Sequence, residues 1–302
     1  MARKRKWRYR VGGTLVIVSS LIFGLQSCYH KINHTVSTAP SISQQLGIGG
    51  TNSSSVSSSS SSNSSSTGTN DSVTLSNLNY VSGESAIVEV NNNQSTLDPN
   101  SWKTNKVIYS NLDSFNRTSS PNTGYLEKRN VANDSLRVRQ TVKPTGWHSG
   151  MKNRTQVYNR GHLIAYSVSK GISINGNYDP SLQSGDQNNL KNLFTQTAFS
   201  NQELQTIYEQ KVRDALRANK KVIYQAQAIF RGNELMARGV HLQAISTDGS
   251  LNFNVYIFNV QSGYQFDYAT GSSKVDRSSP KCWCKLNSAN LSFHKLKHTG
   301  FF

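Results

Sequence analysis

The chain reads Tyr158-Asn159-Arg160-Gly161-His162-Leu163, which sets an imidazole close to a guanidinium. Further on comes Thr195-Gln196-Thr197-Ala198-Phe199-Ser200-Asn201-Gln202, and Glu209 follows Asn201 by eight positions. A phosphodiester resists hydrolysis because its own charge repels nucleophiles. Cleaving it takes a base for the water, a cation for the developing charge and a positioned site. His162 can be the base, since an unperturbed imidazole titrates near neutrality. Asn201 can give a hard divalent cation a neutral oxygen, and Mg²⁺, which keeps several waters, needs only one or two protein ligands. On a helix, the step from Asn201 to Glu209 is about two turns. Both can then face one side, with Glu209 reaching the cation through water. Arg160 and Arg213 suit phosphate contacts. Each residue also has an ordinary alternative: a packed or surface histidine, an asparagine tolerated in a first helical turn, and an i,i+4 Glu209–Arg213 pair worth roughly a few tenths of a kcal/mol.

These side chains need a scaffold. The clearest helix starts at Ser200, where Ser200 with Glu203 fits a capping box. Leu204, Ile207, Tyr208, Val212, Ala215 and Leu216 then form an apolar stripe at helical spacing, which predicts a helix to about Lys220. Strands are predicted over 85–90, 107–109, 136–142, 222–230 and 240–245. Asp248-Gly249 turns the last of these into a partner over 251–260. A turn-rich loop is expected from Asn111 to Gly124. Strands, a long helix and more strands imply an α+β domain with a mainly antiparallel sheet.

The 302-residue chain carries a formal net charge of +17. Six of these charges lie in the first ten residues, and Lys31 balances Asp71, so +11 remains on the rest. A basic globular part suits a polyanionic partner with salt-dependent binding, although many secreted proteins are basic and bind nothing in particular. The basic start leads into the apolar run Val11 to Leu25, short for a membrane span and right for a signal-peptide core. Leu25-Gln26-Ser27-Cys28 resembles a lipobox, with Gln26 unusual in it; an uncleaved signal anchor is the alternative. Either places the rest outside the cytoplasm, at the extracellular face of the membrane or secreted. Residues 1–28 are thus read as signal or anchor, 29–75 as a Ser-rich flexible tether, 76–271 as the catalytic domain and 272–302 as a basic extension.

Asn159-Arg160-Gly161-His162 resembles the Asp-Arg-Gly-His motif of the DNA/RNA non-specific endonucleases, a ββα-metal family, and the likeness is greatest to membrane-bound DNA-entry nucleases of Gram-positive bacteria. It covers roughly residues 100 to 271 and includes Lys143-Pro144-Thr145-Gly146-Trp147, Asn192, the 196–202 segment, Tyr208-Glu209, Val212-Arg213 and Asp267-Tyr268-Ala269-Thr270-Gly271. The resemblance implies a ββα-metal fold with a long metal-bearing helix. It implies His162 as general base, Asn201 as direct Mg²⁺ ligand (with Mn²⁺ as the alternative cation, since similar hard sites accept it) and Glu209 as orienter of water on the metal. It also implies cleavage of DNA and RNA with little sequence preference. Asn159 departs from the family aspartate that orients the histidine and its surroundings; the amide keeps size and hydrogen bonding but loses charge. A non-catalytic surface DNA receptor on the same fold is the alternative. Cys282, Cys284, His294 and His298 form a zinc-type donor set, although C-x-C is not the usual finger spacing; a basic tail that binds DNA or cell wall is the other reading.

Overall fold

The computed structural model describes residues 67–278. The expected signal or anchor with Cys28, most of the serine tether, and the Cys282, Cys284, His294 and His298 set lie outside the described residues. Among the described residues no helix is long and apolar enough to cross a membrane.

The order is α1 (Thr67–Ser76), β1 (Ile87–Glu89), β2 (Lys106–Ile108), β3 (Asn122–Leu126), β4 (Met151–Lys152), β5 (Thr155–Gln156), β6 (Tyr158–His162), β7 (Leu193–Thr197), a π-helical turn (Phe199–Gln205) running into α2 (Thr206–Arg217), then β8 (Val222–Ile229), β9 (Gly239–Ser246), β10 (Asn252–Phe258), β11 (Tyr264–Asp267) and β12 (Ser272–Val275). Six strands form one sheet in the order β1-β10-β9-β8-β3-β2, and β4–β5, β6–β7 and β11–β12 are separate hairpins. Every named pairing is antiparallel. The expected α+β class with a central antiparallel sheet is what the chain adopts.

The apolar stripe of α2 explains why the helix lies on the sheet. Leu204, Tyr208, Val212, Ala215 and Leu216 are buried in one core with Val240, Leu242, Ala244, Val255 and Ile257, and the Tyr208 and Phe253 rings lie 5.0 Å apart. Each large apolar side chain so buried contributes roughly 1.5–3 kcal/mol. Part of the opposite sheet face is polar: Gln243 Nε2 donates to Gln225 Oε1 at 3.0 Å and Gln225 Nε2 to Thr123 Oγ1 at 2.9 Å. The chain at Ser95 and Thr96 covers it, donating to Gln243 Oε1.

Several expectations need correction. Residues 136–142 form no strand. Leu136 and Val138 are exposed, and the backbone donors of Val138 and Thr141 go to side chains of Gln187 and Asn188, so the alternation faces solvent. The loop expected to Gly124 already contains β3, whose Asn122 side chain reaches the backbone of Lys191 at 2.8 Å. The helix enters one residue before Ser200, with Ala198 as its N-cap and no capping box. Its first N–H groups are met instead by Gln261 Oε1, at 2.9 Å from Phe199 N, and Thr197 Oγ1, at 3.1 Å from Ser200 N. The helix stops at Arg217 because Asn219 turns left-handed at φ 64°, which lets Lys220 N close back on Ala215 O. Finally, all but the last residue of α1 lies within the segment read as tether: Leu75 is buried in the core, and Arg231 Nε holds Ser76 O at 2.7 Å.

Candidate active site

The β6–β7 hairpin and the helix after it form a ββα unit. Its register sets Asn159 opposite Gln196 and His162 opposite Leu193. The outer edge of β7 is tied to the body by Asn259, whose Oδ1 accepts from Thr197 N at 2.7 Å and whose Nδ2 donates to Thr195 O at 3.0 Å. Buried Asn192 brackets Ile164 through its N–H at 2.8 Å and its carbonyl at 2.9 Å. Four backbone groups along and just beyond the hairpin thus meet buried amides.

Behind β6, Val157, Tyr158 and Met236 form a second apolar cluster with Trp147 and Phe266 packed on it, and the Tyr158 hydroxyl donates to Gly271 O at 2.8 Å. Gly271 has a positive φ of 79°, and a Cβ there would lie 2.1 Å from Gly146 O. The 143–147 and 267–271 segments, far apart in sequence, therefore close on each other directly behind the histidine strand.

His162 is half-buried. Burial pushes its pKa down to about 4, and the Arg137 charge acts in the same direction, against carbonyls of Gln187 and Asp186 that favour the protonated ring. Gln140 Nε2 lies 3.4 Å from His162 Nε2 and 3.2 Å from Gln187 O. Arg160 donates through Nε to Val142 O, its guanidinium stacks 4.2 Å over Trp147, and its two terminal nitrogens have no protein partner among the described residues. With exposed Arg137 and Arg139 alongside, this rim is positive, the potential a polyanion would follow.

Asn159 and Asn201 meet. Asn159 Nδ2 donates to Asn201 Oδ1 at 3.1 Å, and Asn159 Oδ1 accepts from Gln156 Nε2 at 2.9 Å. Asn201 Nδ2 donates to Gln196 Oε1 at 2.9 Å. Glu209, its side chain 12% exposed, lies 3.8 Å from Arg213. Burial raises its pKa, opposed by the Gln205 hydrogen bond and the Arg213 charge. Arg213 donates to Ser167 Oγ at 2.8 Å and to Gln210 Oε1 at 3.1 Å through Nε, so its donors are largely spent inside the protein. Of the residues expected from sequence, His162, Asn159, Asn201 and Glu209 converge on one ββα unit. Gln140, Gln156 and Gln205 were missed, because a glutamine ordinarily reads as solvated surface.

The donor set fits a hard cation that keeps much of its own water. Asn201 Oδ1 and the Glu209 carboxylate are oxygen donors of the kind Mg²⁺ uses, and among the described residues no three His, Cys, Asp or Glu side chains come together as a zinc or calcium cage would need.

The family model for DNA/RNA non-specific endonucleases matches residues 96–248, the stretch that carries this unit. The chain belongs to that family. A deoxyribonuclease of Streptococcus dysgalactiae subsp. equisimilis is 28% identical over 173 residues, 56% of this endonuclease-family chain and 49% of that relative. The chain thus spans about half the length of the curated relative it matches. Among solved structures, NucA from Streptococcus agalactiae with magnesium bound is 30% identical, with a TM-score of 0.55, covering 70% of this chain and 98% of that one. The same protein with no metal bound gives a TM-score of 0.54 over 70% and 97%.

The motif's glycine is explained by geometry. A Cβ on Gly161 would lie 2.1 Å from Gln196 Oε1 and 2.8 Å from Gln196 Cβ. Gln196 is fully buried and bonded at both ends of its amide, so it cannot swing aside cheaply. Gly161→Ala is expected to cost about 1–3 kcal/mol of stability by overpacking, read as a lowered midpoint in urea. An unchanged midpoint would show that Gln196 yields freely.

Proposed function

We propose that this chain is a Mg²⁺-dependent endonuclease that hydrolyses phosphodiester bonds of DNA, and of RNA, without sequence preference. The observation that carries the reading is the convergence of His162, Asn201 and Glu209 on one ββα unit beneath a positive rim. The family and the printed name of the streptococcal relative, a deoxyribonuclease, support DNA as a substrate.

In this reading a neutral His162 takes the proton from the attacking water. Its depressed pKa keeps the ring unprotonated, and the Asp186 and Gln187 carbonyls beside it favour one ring orientation, leaving the other nitrogen as the base. Arg160, fixed by Val142 and stacked on Trp147, holds the substrate phosphate through its free terminal nitrogens. Asn201 would hold the cation directly, and Glu209 through water, with Arg213 steadying the Glu209 carboxylate. When bound, the cation supplies charge stabilisation to the phosphate and its leaving oxygen; Mn²⁺ has chemistry similar enough to take its place. Asn159, donating to the Asn201 oxygen, replaces a charge with an amide dipole in that site. The N-terminal basic and apolar segments support a location outside the cytoplasm, lipidated or anchored at the membrane face or secreted.

The same Asn159 contact favours a second reading, a surface DNA receptor on this fold that does not cleave. Plasmid and RNA incubated with the protein in Mg²⁺ or in EDTA separate the two. Cleavage only with the metal is expected. DNA retention without cleavage across neutral and mildly acidic or alkaline pH would establish the receptor instead.

A further inference from the structure

A chain of side-chain amides crosses the site from one end to the other. Asn159 donates to Asn201, Asn201 to Gln196, Gln196 Nε2 to Gln205 Oε1 at 2.9 Å, and Gln205 Nε2 to Glu209 Oε1 at 2.9 Å. Gln205 Nε2 also donates to the His162 carbonyl at 2.8 Å, and Gln196 Nε2 to Ser200 Oγ at 3.0 Å. Gln196 and Gln205 are both 0% exposed, so no water competes for either amide.

The direction of this chain is forced by chemistry. A backbone carbonyl and a carboxylate can only accept hydrogen bonds. Both face one end of the Gln205 side chain, so that end must be its NH₂. Gln205 Oε1 then faces Gln196, which must donate. Gln196 Oε1 in turn faces Asn201, which must donate its NH₂. The Asn201 oxygen is left pointing the other way, toward Asn159. An asparagine is nearly symmetric in shape and can present either face, yet only its oxygen can bind a cation.

We propose that Gln205 and Gln196 are positioning residues that fix which face of the Asn201 amide meets the cation, reading that orientation from the His162 carbonyl and Glu209. The proposal rests on Asn201 being the cation ligand. It also ties the base and the cation site together, since the carbonyl that aligns Gln205 belongs to the residue whose ring is the base. The hydrogen bonds run head to tail, so each polarises the next and the Asn201 oxygen gains negative character at the end of the series.

The test is Mn²⁺ binding to the full chain without substrate, read from the electron paramagnetic resonance of free Mn²⁺. Gln205→Met keeps the volume and removes the hydrogen bonds; it is expected to weaken Mn²⁺ binding by about tenfold, as loss of an outer partner of a ligand does. Gln196→Met should do the same, and the double variant should be no weaker than either single one, because both cut one chain. In an Asn201→Asp background, where either face offers an oxygen, Gln205→Met should cost less than about twofold by the same reasoning. Binding by Gln205→Met equal to that of the unaltered chain, or a loss that persists undiminished in the Asn201→Asp background, overturns the proposal. No Mn²⁺ binding by the unaltered chain overturns the cation site itself and the positioning with it. If thermal melting shows Gln205→Met unfolded, Gln196→Met carries the same comparison.

Discussion

His162→Ala is expected to lower kcat for plasmid cleavage by about 10²–10⁴-fold, the range that a positioned proton acceptor contributes, with KM little changed because, in the proposed mechanism, Arg160 and the rim would still hold the phosphate. Initial rates over a range of plasmid concentrations check this; a loss confined to KM would make His162 a binding residue instead. The pH dependence follows from the same ring. In the proposed mechanism a neutral imidazole is the working form, and burial holds the pKa at about 4, so protonation of His162 in the free protein should not cut kcat/KM until the pH approaches that value. Folding responds at higher pH. Between about pH 6.5 and 4 the unfolded imidazole is protonated while the folded one is not, so the unfolded state binds more protons and stability falls as the pH is lowered through that window. In His162→Ala that part of the acid sensitivity disappears, which urea midpoints at pH 7 and pH 5 would reveal.

Asn201→Ala is expected to remove about 10³-fold of the Mg²⁺-stimulated rate, since a cation supplies several kcal/mol of transition-state stabilisation and its direct ligand would be gone. Raising Mg²⁺ should recover part of the loss. Asn159→Asp moves the other way. At present Asn159 Nδ2 donates to the oxygen that would face the cation, at 3.1 Å. A carboxylate cannot donate there and instead brings a negative charge, so half-saturation should fall to lower Mg²⁺. Titrating the rate against Mg²⁺ for the unaltered chain and both variants reads all three. An Asn201→Ala curve superimposable on the unaltered one would remove Asn201 from the cation site.

The parts of this fold legible in the sequence are those that repeat. Val212 and Leu216 recur at helical spacing, and the β8–β9–β10 meander combines long apolar runs with Asp248-Gly249. What could not be read is held by side chains that break the usual rules of exposure. Tyr158–His162 carries too few apolar residues to look like a strand, and it becomes one because β7 pairs with it and Asn192 and Asn259 seal the ends. Leu136 and Val138 alternate correctly but have no sheet edge to join. In the candidate site, His162, Asn201 and Glu209 stand out by type and spacing, and Asn159 only through the family resemblance. The glutamines that orient them do not, since nothing local distinguishes a buried, fully bonded amide from a solvated one.

The turn at Phe199–Gln205 closes with the wide π pitch before Thr206 continues as α-helix. Such a turn holds one residue more than the α-helix around it, and each residue of an α-helix advances the azimuth by about 100°. Deleting a single residue between Gln202 and Leu204 would let the segment relax to ordinary pitch. Glu209 would keep its heading on the sheet, while Asn201 would swing by roughly that angle away from Asn159 and Gln196. The two oxygen donors thus depend on a phase offset written into the helix, and a lineage that lost the extra residue would keep its core and lose its site.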